Sequence, residues 1–121
     1  MDDDMSNDEF TMPGVVSVTP EVLAYARDFA ATVASSQDGR YVATFDWVQS
    51  IGVRDGKEAP LREIGPCLLL SGYERRDVPP AFINRTPELD YAVKIPDNIV
   101  RGSAQRVIEI DETMPFRLAL R

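Results

Sequence analysis

The chain has 121 residues and carries 20 acidic against 13 basic side chains, one cysteine and no histidine. That length argues for one domain, large enough to bury about two-thirds of its unfolded surface without a metal or a disulfide. Without histidine, every histidine-dependent triad, general base and metal site is excluded, and one cysteine supplies neither an intrachain disulfide nor a zinc or iron–sulfur ligand set.

Asp2, Asp3, Asp4, Asp8 and Glu9 account for five of the acids, so the remaining chain carries 15 acidic against 13 basic groups, a net of −2. A body so nearly balanced offers no basic footprint for nucleic acid. No apolar run approaches the roughly 18 residues of a membrane span. The acidic first ten residues reverse the charge of a signal-peptide n-region, so with the single cysteine a cytoplasmic protein is expected.

Residues 1–13 combine many charges with little apolar surface and are expected to form a disordered acidic tail before a single α+β domain over 14–121. Val15 to Val18 reads as a short β-branched strand. Thr19-Pro20-Glu21 then places a hydroxyl N-cap, a proline at the first helical position and an acid in the first turn. Val22, Ala26, Phe29 and Val33 form one apolar stripe, widened by Leu23 and Ala30, which puts Phe29 at its centre and the Tyr25/Arg27/Asp28 face in water. Gln37-Asp38-Gly39 closes the helix.

Arg40 to Val48 has the period of a strand, with Tyr41, Ala43, Phe45 and Trp47 on one face and Ile51-Gly52-Val53 continuing it past a possible-bulge glycine. Asp55-Gly56, flanked by Arg54 and Lys57, suits a type I′ hairpin turn. Pro60 and Pro66 confine their stretch to loop or edge, and Cys67 to Tyr73 follows as a buried strand. Residues 74–89, with Arg75-Arg76, Pro79-Pro80 and Pro87, read as a long irregular connection. Tyr91 to Ile95 is a strand stopped by Pro96. Asp97 to Arg101 forms a one-turn helix closed by Gly102, Val107 to Asp111 is a strand, and Phe116, Leu118 and Leu120 alternate along a half-buried last one. The sum is a mixed sheet of about six strands with one long N-terminal helix and a short C-terminal helical turn.

No GxGxxG, P-loop or nucleophile elbow occurs. Cys67 lies among apolar neighbours that suit a buried structural thiol better than a reactive one. Asp46 and Glu63 are the carboxylates whose meeting across strands would support acid–base chemistry. As a partner or ligand surface the sequence offers Trp47, Arg54, Arg75 and Arg76: an aromatic anchor against core packing, and guanidinium forks against solvated loop charge.

The segments Val16-Ser17-Val18-Thr19-Pro20-Glu21 through Tyr41-Val42-Ala43, Ala92 to Gly102 followed by Val107 to Asp111, and the closing Phe116-Arg117-Leu118, together resemble the HesB-like fold of A-type iron–sulfur carriers. The resemblance covers both ends of the domain and rests on element order and hydrophobic spacing. It implies an iron–sulfur role held by a cysteine in a glycine-rich turn and a C-terminal Cys-Gly-Cys. Val48 to Gly52, where the first cysteine would fall, has none, and the second motif is missing, so no ligand residue carries over and the resemblance implies a degenerate member. The expectation is a non-enzymatic domain acting through protein or small-ligand contacts, with no cofactor or metal. The alternatives are a histidine-independent enzyme using carboxylates and arginines beneath the 74–89 loop, or an acidic inhibitor or immunity-type protein.

Overall fold

The computed structural model describes residues 10–33, 41–54, 56–100 and 106–121. The expected helix stop at Gln37-Asp38-Gly39, Gly102, Asp55 and the first nine residues of the tail lie outside them.

Among the described residues the fold is α+β. In chain order it comprises β1 (Val16–Val18), α1 (Pro20–Val33), β2 (Tyr41–Val48), β3 (Ile51–Val53), β4 (Arg62–Ile64), β5 (Cys67–Glu74), β6 (Asn84–Arg85), β7 (Asp90–Lys94), α2 (Asp97–Val100), β8 (Arg106–Ile110) and β9 (Leu118–Leu120). Neither helix is long and apolar enough to cross a membrane.

The main sheet has the order β5-β2-β7-β6, with β2 antiparallel to β5 and parallel to β7. A second sheet runs β1-β8-β9, with β1 parallel to β8. The β3–β4 hairpin forms a separate two-stranded ribbon. Its first strand ends at Val53 and its second begins at Arg62. Ile51-Gly52-Val53, expected to continue β2, belongs to this ribbon, and the three strands beyond the expected six are short ones, β3, β4 and β6.

The start of α1 follows its sequence signals. Thr19 Oγ1 accepts from the Val22 amide at 3.2 Å, and the Thr19 carbonyl accepts from Leu23 at 3.0 Å, which satisfies donors that the first turn leaves open. Val22 and Ala26 are fully buried and join Ala43, Phe45, Leu68, Val93, Ile108 and Leu118 in the main core, between α1, the main sheet and the second sheet. Phe29 is not at the centre of that core. It is half-buried, whereas Tyr25, assigned to the wet face, packs against the core and donates to the Phe116 carbonyl at 3.2 Å. The sheet meets the first two turns of the helix, so the contact is centred on Val22 and Ala26 and shifts toward Tyr25.

β2 is buried on both faces over Val42–Phe45. Ala43 and Phe45 face α1, while Val42 faces a second core formed with Phe10, Val78, Ile83 and Ala92. This second core corrects two expectations. The tail does not extend to residue 13: Phe10 is 8% exposed, and Thr11 is 6% exposed with its backbone amide on Val93 and its hydroxyl on Ile95. The 74–89 connection is ordered by two 3-10 turns, Arg75–Asp77 and Pro80–Phe82, and sets Val78 and Ile83 against the sheet. It is a covering layer.

Candidate functional site

The proposed surface of Trp47, Arg54, Arg75 and Arg76 is not brought together. The β2–β5 register pairs Trp47 with Leu68 at one end and Tyr41 with Glu74 at the other. Six residues of strand, about 20 Å at ~3.3 Å per residue, therefore separate Trp47 from the turn that carries Arg75 and Arg76. Arg54 is exposed just beyond β3. Arg75 reaches Asp90 at 3.1 Å, joined there by Arg85 at 3.4 Å, and Arg76 reaches Glu74 at 2.9 Å. Arg75 and Arg85 thereby tie the covering layer to β7, and Arg76 pairs with the last residue of β5.

Asp46 and Glu63 do not meet as a pair. Asp46 lies opposite Leu69 and beside Lys94 in the main sheet, while Glu63 is exposed opposite Gly52 in the hairpin ribbon. Asp46 has another partner: the Tyr73 hydroxyl donates to its Oδ2 at 2.8 Å, and Lys94 Nζ lies 3.5 Å from the same hydroxyl. The Lys94 ammonium also stands 5.7 Å from the Phe10 ring centre and 5.5 Å from that of Tyr73. Burial and then the Asp46 hydrogen bond push the Tyr73 phenol above its ordinary value, against an opposing pull from Lys94. Such a phenol stays protonated near neutrality and remains the donor to Asp46, in a polar seam at the rim of the second core. Among the described residues, no three acidic or cysteine side chains come together as a metal site requires.

A cleft does form where the Trp47 end of β2 and the start of β5 approach β9. It has a volume of about 120 Å³ and is lined by Trp47, Pro66, Cys67, Leu68, Ile99, Arg106, Met114 and β9 through Arg121. The geometry follows from the strand pattern. Trp47 shares the Ala43 and Phe45 face of β2, which carries it toward Leu118 and Leu120 of the second sheet. The Trp47 Nε1 is buried without a hydrogen-bond partner among the described residues, a desolvated donor of the kind that costs about 1–3 kcal/mol. Cys67 is 1% exposed, and burial raises its thiol pKa, so it is a wall of the cleft and no nucleophile.

The charged part of the lining is basic. Arg121 is paired with Asp111 and, at 3.5 Å, with Glu109. Arg106 is half-buried and donates through Nε to the main-chain oxygen of Arg121 at 3.0 Å and through Nη1 to the Ile99 carbonyl at 2.9 Å. Among the described residues, no aspartate or glutamate pairs with it. Of the residues that the sequence singles out, Trp47 and Cys67 reach this cleft. Arg106 carries no motif, and its place depends on pairing β1 with β8, a contact across some ninety residues that local spacing does not encode.

No family model matches the chain, and neither the curated proteins nor the solved structures include a significant match to it.

Proposed function

We propose that the chain is a non-catalytic small-ligand-binding domain whose ligand sits in the cleft between Trp47, β9 and Arg106. The observation that carries this reading is the cleft itself. It combines an apolar wall of Leu68, Ile99, Leu118 and Leu120 with one aromatic face and a half-buried cation, the mixture that orients small molecules. The carboxylates and arginines that a histidine-free enzyme would need are tied to one another: Asp46 to Tyr73, Arg75 to Asp90 and Arg76 to Glu74. A reducing, cytoplasmic setting suits the free thiol of Cys67. The HesB-like resemblance enters as a proposal of ancestry only, for a member whose iron–sulfur role has been lost along with its cysteines.

Trp47 is the one tryptophan in the chain, so its fluorescence reports on the cleft selectively. A screen of small molecules should find compounds that both raise the melting temperature and shift Trp47 emission saturably, since a ligand of the folded state alone stabilises it by mass action. If no compound does both, the binding-domain reading fails.

A further inference from the structure

We propose that the ligand of this cleft is a small uncharged molecule, with a compact apolar body set against Trp47 and the leucines of β9 and one hydrogen-bond acceptor held by Arg106. The inference rests on the ligand-binding reading above and names the chemistry of that site. Size comes first. At about 120 Å³ the cleft is somewhat smaller than the ~150 Å³ apolar cavity known to accept benzene, so it suits a body of one ring or a short branched chain. Leu68, Ile99, Leu118 and Leu120 line it. Trp47 Nε1 is shut off from solvent, so the indole offers a ligand ring carbon and no donor.

Charge comes second, and both arginines of the lining are compensated. Arg121 pairs with Asp111 and Glu109. Arg106 Nε donates to the main-chain oxygen of Arg121, the last residue of the sequence and so a terminal carboxylate in this chain, and Nη1 donates to the Ile99 carbonyl. An anion arriving here would shed its water for a guanidinium that is already matched, beside oxygens that repel it. A cation would meet two arginines. In both cases the desolvation cost goes uncompensated. Hydrogen-bonding capacity is separate from charge. A guanidinium carries five donor hydrogens, and Nη2 of Arg106 has no partner among the described residues. A hydroxyl or carbonyl oxygen satisfies that donor without adding charge. The ring or branched body then covers the indole and the leucines of β9 that would otherwise face water.

Benzyl alcohol, toluene and benzoate are the probes: one ring with a neutral acceptor, with none, and with a negative charge. Trp47 emission together with the indole N–H signal in proton NMR are the readouts. Benzyl alcohol is expected to bind saturably with a Kd of about 1 mM or tighter, and toluene and benzoate each about fivefold more weakly. Arg106→Met should bring benzyl alcohol down to the level of toluene, whereas Arg85→Gln, at the far edge of the main sheet, should leave the ranking unchanged. If toluene binds wild-type protein as tightly as benzyl alcohol, the acceptor assignment is overturned. If benzoate does so, the uncharged assignment is overturned. In either case the cleft remains a ligand site. If no probe gives a saturable change, the assignment falls together with the binding-domain reading. The ranking of the three probes is read on the wild-type chain, so it holds even if Arg106→Met unfolds the protein.

Discussion

Gly65 precedes β5 with φ at +141°, and a Cβ added there would lie 2.4 Å from the Gln49 carbonyl oxygen. Both the backbone conformation and the space exclude a side chain, so Gly65→Ala should destabilise the fold by about 3 kcal/mol or more, measured by urea melts. Gly52 is more lenient, because its added methyl would meet only the Leu61 side chain at 3.3 Å. On the helix, Val22→Ala should cost about 2 kcal/mol and Phe29→Ala only about 1–2, short of the 3–5 kcal/mol of a core phenylalanine. A larger loss at Phe29 would show that the helix packs farther along its length than Val22 and Ala26. Tyr73 adds a pH dependence. Its raised pKa means that the folded state holds the phenolic proton more tightly than the unfolded chain does. This contribution is complete below the unfolded value of about 10 and is lost as pH rises through the folded value. Tyr73→Phe should therefore narrow its stability deficit against wild type as unfolding is measured at increasingly alkaline pH.

At the scale of elements, the ends of the domain were more legible than its middle. Thr19-Pro20-Glu21 encodes its helix locally, and the cap is present as expected; Thr19→Ala should cost about 1 kcal/mol. The strands at 67–74, 90–94 and 106–110 likewise match their β-branched and apolar runs. The final strand starts later than its alternation implies, because Phe116 and Arg117 take positive φ of 58° and 63° in a turn held by Tyr25 and by the Arg117–Glu112 pair. Tertiary bonds override the period there. The prolines of the 74–89 connection bar ladder pairing and give it an irregular pattern, but Val78 and Ile83 cover the second face of β2. The cleft was legible only through Trp47 and Cys67, since its cation comes from a strand whose register is set by distant pairing.

For the whole molecule, the sheet divides the interior into two cores of unequal provenance. The main core draws on α1 and both sheets, whereas the second depends on the residues just before β1 and on the covering layer. Chains beginning at Phe10 and at Pro13 should thus differ in thermal midpoint by well over a few degrees, although only three residues separate them. Phe10 fills the second core, with its ring 5.7 Å from that of Phe82 and 6.0 Å from that of Tyr73, and Phe10→Ala alone should cost about 3 kcal/mol. Equal midpoints for the two chains would show that this segment adds nothing to stability.

The parallel pairing of Val16–Val18 with Arg106–Ile108, and the bonds of Thr11 to Ile95 across 84 positions, bear on how the chain is made. Val16–Val18 and Thr11 are synthesised some ninety and 84 positions ahead of these partners. The N-terminal strand must wait, its β-branched surface unpaired, until residue 108 has emerged. Folding is therefore expected to wait for β8 and to be slow for the size of the domain, as it is for chains rich in distant contacts. A chain stopped after residue 100 should remain protease-sensitive throughout, α1 included, whereas one that extends through β9 should be protected.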